Sequence, residues 1–472
     1  MLCWVPTALA LTLSYDEALR RAGEANLEVR AAQADVRAAE GAVLAARAPF
    51  EPSLSSSGAW FSNIEEGTNP QFGDYYSESG GWSADVGLDQ PLATGTSVGV
   101  DLAMSQSRYL FRGQIEGIEF ETREDGQFAS SLTLSLSQAL LQGHRLAYNL
   151  QALRGAKGAR SVAEASRQAR RQRVLADTAE AFWAVRYQQA LVAIARQTLD
   201  IAKEQRRVAG ALVEAGRLAP VEGTRAETAV VQAERALLEA TSAAAAADDA
   251  LLVLVGEAPG TELSVVAAAP EVPAISLDGA AVADAVLQGN PDLTALRVEL
   301  ELRRQAVADA RHALLPVLSA TASYGLQGYE PTLAASLAEL GTGDFRDWSV
   351  GGLLSVPLYN RADRGALLQV EAEATSAEIA VRQLEDSLIT AARAQVRTLE
   401  TAARDVELAR LNVRLAEETL AAETARLQEG RALQKDVSEA LKALDAARAE
   451  AERAVTTFAV ALVELERLKG TL

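Results

Sequence analysis

Two stretches of this chain, residues 150–215 and 361–429, each run for more than sixty residues without a proline. At 1.5 Å of rise per residue, each predicts a helix of roughly 100 Å, too long for the core of a compact domain. Both carry heptad spacing. Val406, Val413, Leu420 and Leu427 recur every seven residues, and Leu191, Ile194, Ile201, Val208 and Leu212 fit an a/d seam. That period predicts coiled-coil packing with a left-handed supercoil, and the many alanines between allow close approach of neighbouring helices. Taken alone, these segments suit an ordinary coiled-coil rod equally well. Each long helix runs into a glycine, Gly216 or Gly430, where reversal of the chain favours positive φ. Each then returns through a helix predicted over 217–256 or 431–469.

The chain reads as a duplication. Asn26-Leu27-Glu28-Val29 stands 264 positions before Asn290-Pro291-Asp292-Leu293, and Pro52 and Leu54 match Pro316 and Leu318 at the same offset. Gly216-Arg217 and Gly256 match Gly430-Arg431 and Gly470 at an offset of 214. The smaller offset means that the first repeat carries about fifty extra residues in its β segment. The expected layout is a first repeat over 11–256, a linker over 257–277 punctuated by Pro259, Gly260, Pro270 and Pro273, and a second repeat over 278–472. A helix is predicted over 14–48, opened by a Ser14–Glu17 capping box, with its counterpart over 278–315. Both stop at prolines, Pro49 and Pro52 in one case and Pro316 in the other.

Six stretches alternate apolar and polar residues with period two and predict strands over 53–63, 82–90, 96–107, 128–138, 317–327 and 347–357. Leu132, Leu134 and Leu136 alternate with Ser131, Thr133 and Ser135; Leu318, Ala320, Ala322 and Tyr324 alternate with Ser319, Thr321 and Ser323. Such alternation suits a half-buried soluble sheet or a barrel with lipid outside and water within. Three features favour the barrel. Each stretch is near the ~9–11 residues that cross a bilayer. The polar side is small and uncharged apart from a few aspartates. Of 23 aromatic residues, 17 fall between Phe50 and Tyr148 or between Tyr324 and Tyr359, and Trp60, Phe61, Trp82, Phe128, Tyr324 and Trp348 stand near strand ends, as in an aromatic girdle. The connections 62–81, 109–127 and 328–346 read as long external loops and 91–96 as a short periplasmic turn. Six strands leave an open edge, so closure calls for several copies of the chain.

Composition narrows the function. Hydrophobic residues at 49% and charged residues at 23% are an ordinary folded balance, not a disordered one. A net charge of −19 argues against nucleic acid as a partner. No run of 18 apolar residues predicts a transmembrane helix. The one cysteine, Cys3, permits no internal disulfide. Residues 1–10 are apolar and end in Ala8-Leu9-Ala10, so they read as a signal-peptide remnant without its basic start; a frayed terminus is the alternative, and Cys3 lacks the small and apolar predecessors of a lipidated cysteine. The two histidines, His144 and His312, are distant in sequence, and no nucleophile elbow, P-loop or dinucleotide fingerprint occurs. A secreted enzyme on a helical scaffold therefore has no catalytic constellation to support it, and no cofactor is expected.

Over residues 14–470 the sequence resembles the TolC family of outer-membrane efflux proteins. The resemblance is carried by Asn26-Leu27 and Asn290-Pro291 at helix openings, Pro52-Ser53-Leu54 and Pro316-Val317-Leu318 at helix-to-strand passages, and Ser137-Gln138-Ala139-Leu140 and Ser355-Val356-Pro357-Leu358 at strand exits. The Gly-Arg turns at 216 and 430 complete it. It implies an α+β membrane protein: a trimeric outer-membrane β-barrel continued by a long periplasmic α-helical coiled-coil barrel, built from an internal structural duplication, in a Gram-negative bacterium. It further implies a homotrimer that serves as the exit duct of a tripartite efflux or type I secretion system, a passive conduit for small molecules or proteins. The implied partners are a periplasmic adaptor (membrane fusion) protein, an inner-membrane pump or ABC transporter, and outer-membrane lipid. The family contributes four strands per subunit and twelve per trimer. The six predicted here imply eighteen, unless residues 82–107 form a hairpin outside the wall.

In the family, acids after the second-repeat turn ring a narrow tip. Here Gly430 is followed by Asp436 and Glu439, and Gly216 by Glu222, so Gly216, Arg217, Gly430 and Arg431 frame the implied gate. Nine carboxylates of a trimer would repel one another and attract cations; three solvated acids on each chain are the plainer reading. Where the family uses a Tyr and an Arg near the turn, Leu427 and Ala432 stand, with Arg431 adjacent. A non-channel periplasmic coiled-coil scaffold or adaptor remains the competing reading, and it gives no reason for six strands in one phase.

Overall fold

The computed structural model describes residues 11–70, 73–115, 117–124, 126–216, 219–266, 277–428 and 431–472. The signal-peptide reading of 1–10, together with Arg217 and Gly430, lies outside the described residues. In chain order the elements are β1 (Leu11–Ser14), α1 (Tyr15–Ala25), α2 (Leu27–Ala45), β2 (Ser53–Asn69), β3 (Gly73–Pro91), β4 (Thr96–Ile115), β5 (Ile118–Glu124), β6 (Phe128–Ala139), α3 (Leu146–Asn149), α4 (Gln151–Glu214), α5 (Pro220–Val255), β7 (Leu263–Val266), α6 (Gly279–Gly289), α7 (Pro291–Ala313), β8 (Val317–Glu330), α8 (Leu333–Leu340), β9 (Arg346–Ser355), α9 (Arg361–Gln428) and α10 (Gln434–Lys469). They fall into two compact units, one of residues 1–38, 161–298 and 378–472, the other of 39–160 and 299–377.

The first unit is helical. Its helix α1 opens as the sequence predicts, with the Ser14 hydroxyl accepting the Glu17 N–H at 3.3 Å. Only half of the capping box forms, because the Glu17 carboxylate turns instead to Arg20 and Arg21; these guanidiniums hold it below the usual carboxylate range. The single helix expected over 14–48 is interrupted. Asn26 takes an extended backbone (φ −60°, ψ 135°), and its buried side chain bonds both ways: Oδ1 accepts the Glu28 N–H at 2.8 Å and Nδ2 donates to the Leu254 carbonyl at 3.1 Å. Asn290 interrupts the helix expected over 278–315 in the same manner, accepting from Leu293 N–H and donating to the Leu468 carbonyl. A short polar side chain that satisfies the freed backbone groups makes a break at this point cheap.

The linker expected over 257–277 also holds more order than its prolines indicate. Strand β7 pairs in parallel with β1, Leu11 opposite Leu263 through Ser14 opposite Val266. Beneath this pair Leu13, Phe182, Trp183, Val185, Leu251 and Val255 form the main core, with Tyr15 set edge-on to Phe182 at 5.4 Å between centroids. The expected heptad seam of α4 is only half-buried at Leu191, Ile194, Ile201 and Val208. Leu199, Ala202 and Ala209 are buried instead, and the first two pack on Val230 and Ala233 of α5. Neighbours on more than one side spread burial beyond a single stripe, as two-stranded coiled-coil logic does not.

The second unit is built on an antiparallel sheet whose order is β2-β3-β4-β6-β8-β9, with β5 added to β4 beyond the end of β6. Strands β2, β3, β4 and β8 outrun their predicted limits, whereas β9 ends two residues short of its own. Residues 62–81, read as a loop, extend β2 to Asn69 and β3 back to Gly73, and residues 109–127 hold the β4–β5 pair. Their polar composition hid them, because these stretches lack the apolar alternation that marks the rest of each strand. The third expected loop, 328–346, contains α8.

Candidate functional site: sheet faces and turn acids

The pairing register assigns every wall residue to one of two faces, since directly opposed residues share a side. One face carries Trp60 and Leu54 on β2; Trp82, Ala84, Val86 and Leu88 on β3; and Met104, Leu102, Val100 and Val98 on β4. It continues with Leu132, Leu134 and Leu136 on β6, Leu326, Tyr324 and Leu318 on β8, and Trp348, Val350 and Leu354 on β9. The other face is Ser, Thr, Gly, Ala and Asp almost throughout. Asp101 lies opposite Gly87, between Asp85 and Asp89 of the neighbouring strand. Asp89 accepts from the Ser97 hydroxyl at 3.0 Å and Asp85 from Ser57 at 3.1 Å.

The apolar band is not level across the sheet. Its upper margin runs from Trp60 opposite Trp82, down one rung to Met104, one more to Leu132 and Leu326, and one more to Trp348. Three two-residue rungs over five strand spacings correspond to ~20 Å of fall over ~24 Å, a strand tilt of about 40°. The lower margin, from Leu54 and Leu88 through Val98 and Leu136 to Leu318 and Leu354, falls by the same three rungs. A band of constant width crossed by strands tilted ~35–45° is the geometry of a membrane barrel. Both edge strands, β2 and β9, are exposed along almost their whole length, and Trp60, Trp348 and Val350 are each more than 70% exposed.

Where the strands of this unit give way to helices, two residues far apart in sequence meet. His144 and His312 lie 5.3 Å apart by ring centroid, with Tyr148 4.7 Å from His312. The Nε2 atom of His312 accepts the Gly143 N–H at 3.3 Å. Burial pushes the His312 imidazole below its usual range, helped by His144 and Arg145. A linear spacing of 168 residues does not announce this meeting. Among the described residues no group of three or more His, Cys, Asp or Glu side chains could hold a metal ion.

The turn acids belong to the helical unit. Gly216 has φ +66°, the left-handed value its reversal calls for. Glu222 stands in the first turn of α5, pairs with Arg225, and is 7% exposed; its Oε2 is buried with no hydrogen-bond partner among the described residues. Asp436 occupies the corresponding first turn of α10 and accepts the Leu433 N–H at 3.0 Å. Glu439 is exposed and pairs with Lys435 at 3.4 Å. Arg431 N–H donates to the Arg426 carbonyl at 2.8 Å. Each acid thus has a local partner, and the two first-turn carboxylates also sit favourably on helix dipoles.

With these geometries in view, the family assignment follows. The sequence profile described as outer membrane efflux protein matches residues 97–257 and 282–471, so this chain belongs to that family, the TolC family, and its seat is the outer membrane. No curated protein matches the sequence. Solved structures of similar fold include the outer-membrane channel OprN (18% identity, TM-score 0.68, covering 97% of this chain and 90% of that one) and VceC of Vibrio cholerae (18%, 0.67, 97% and 96%). The Campylobacter jejuni CmeC outer membrane channel is also similar (14%, 0.67, 100% and 90%).

Proposed function

We propose that three copies of this chain form the outer-membrane exit duct of a tripartite export system. Edge strand β9 of one copy pairs with β2 of the next, so that eighteen strands enclose the pore. The observation that carries this reading is the tilted apolar band backed by a face of small polar residues. A sheet with lipid on one side and water on the other requires that division. Six strands of alternating direction leave β2 and β9 antiparallel to each other, so head-to-tail closure continues the same ladder around the ring. Because barrel diameter grows roughly linearly with strand number, eighteen strands in place of twelve widen the lumen by about half.

In this reading the long helices line the periplasmic passage, which opens to an adaptor protein and an inner-membrane pump or ABC transporter. The duct itself carries small molecules or proteins passively. Asp436, Glu439 and Glu222 collect near the three-fold axis at the helical turns and favour cations; the buried, half-unpaired Glu222 carboxylate supports this role. Cysteines placed along β2 and β9 test the closure. They are expected to cross-link copies into covalent trimers, and exclusive formation of monomers would refute it. In planar bilayers Asp436→Asn with Glu439→Gln is expected to weaken block by divalent cations, and unchanged block removes the acidic ring. A chain that stays soluble and monomeric without detergent ends the reading altogether.

A further inference from the structure

Helix α8, the connection between β8 and β9, lies on the apolar face of the sheet. The Ser130 hydroxyl donates to the Ser336 carbonyl at 2.8 Å, and the Ser336 hydroxyl donates to Ser130 Oγ at 2.6 Å. A Cβ built on Gly328 would stand 2.0 Å from the Ser336 carbonyl oxygen, so helix and strand backbones touch there. Ser130 and Gly328 are directly opposed, and they share a face with Leu132, Leu134, Leu326 and Tyr324. They sit one rung above Leu132 and Leu326, which a ~40° tilt turns into about 5 Å above the band's upper margin.

The margin is marked by tryptophan on β2, β3 and β9 but by leucine on β6 and β8, the two strands that α8 covers. The one charged side chain in α8, Glu339, is engaged with its Oε2 accepting the Tyr329 N–H at 2.6 Å. The remaining surface is Ala334 and Ala338, exposed, and Leu333 and Leu337, half-buried. By contrast the same face above the band on β4 and β5 is charged, with Arg112 paired to Glu121 at 2.9 Å.

We infer that α8 is an interfacial helix held on the outside of the wall, seated in the headgroup–acyl boundary of the outer leaflet, where it replaces the missing tryptophans as an anchor to lipid. An apolar helix without free charge, held about 5 Å above a lipid-facing band, occupies the depth at which such helices bind. The inference rests on the barrel reading, and its test separates the two. A fluorophore is attached to Ala338→Cys in a Cys3→Ser background. The full-length protein is reconstituted in vesicles containing phospholipids brominated near the carbonyl, with Leu134→Cys and Arg112→Cys as references. The Ala338 label is expected to be quenched by bromolipid to at least about half the extent of Leu134, and by aqueous iodide about threefold less than Arg112. Gly328→Leu, which forces helix and strand apart, is expected to raise iodide quenching at Ala338. Strong iodide quenching at Ala338 with lipid quenching at Leu134 overturns the inference and leaves the barrel standing. Shielding of Ala338 from both quenchers assigns the helix to a protein contact and also overturns it. Absence of lipid quenching at both Leu134 and Ala338 refutes the barrel itself.

Discussion

The two faces of one sheet, a single residue apart along every strand, differ more than any two domains of this chain. One is Leu, Val, Trp and Tyr and falls in a slanted band; the other is Ser, Thr, Gly and Asp and has no such margin. In a soluble sandwich the apolar face meets a second layer, and its residues interlock with that layer. Here Leu134, Trp348 and Val350 are exposed on the isolated chain. On the proposed barrel the difference has a simple source: the apolar face meets a solvent of fixed thickness, whereas the polar face only has to stay small and wet.

The sharpest way to break this comparison is to move one charge by one residue. Leu134→Arg is expected to cost about 2–4 kcal/mol in unfolding titrations of the vesicle-embedded protein, because an arginine near the middle of the lipid face loses its hydration. Thr133→Arg, its neighbour on the other face, is expected to cost less than about 0.5 kcal/mol. Equal losses remove the distinction between the faces. Next in size is a test of space. On the polar face a Cβ at Gly81 would meet the Gln106 carbonyl at 2.1 Å, while on the apolar face a Cβ at Gly58 has nothing nearer than 3.8 Å. Gly81→Ala is therefore expected to lower stability by about 1–3 kcal/mol, as overpacking does. Gly58→Ala is expected to leave it within about 0.5 kcal/mol. Similar melting temperatures for the two variants contradict the crowding.

A smaller effect belongs to the seam where both faces end. The His312 imidazole is held below its usual range by burial. Protonation then favours the unfolded chain. The stabilisation it reflects is complete above the unfolded value near 6.5 and declines as pH falls from there toward the folded value. The melting midpoint is expected to drop between pH 7.5 and pH 5, and His312→Gln is expected to shrink that drop. An identical drop in the variant assigns the pH response elsewhere. Smallest in stability but visible in function is Asp101→Lys on the polar face. It is expected to change the unfolding free energy by less than about 0.5 kcal/mol while moving the reversal potential toward anions. No change in selectivity takes Asp101 out of the conducting path.

Much of the sheet was legible because a sheet with one apolar and one polar face must alternate along every strand. Leu132-Leu134-Leu136 and Tyr324-Leu326 declare their faces without help. Beyond the band that constraint lapses, and the outer halves of β2 to β5 looked like loops. The helix breaks at Asn26 and Asn290 were visible as motifs but not as breaks, since an asparagine that bonds across to Leu254 or Leu468 depends on a partner 228 or 178 positions away. The short strands β1 and β7 escaped for the same reason. The turn acids could be picked out by spacing, but their local partners Arg225, Lys435 and the Leu433 N–H depend on rotamer and cap geometry that spacing does not encode.

The β1–β7 pair has a consequence for how the chain acquires its shape. Leu13 is fully buried, but the strand that completes its surroundings lies some 250 residues later. Parallel pairing at such a separation is slow to form, since a large loop must close before any contact rewards it. Until residues 263–266 have been delivered, the segment around Leu13 and Tyr15 stays open and adhesive. Completion of the core around Leu13 is thus a late event, set by the arrival of the distant strand and not by the helices beside it.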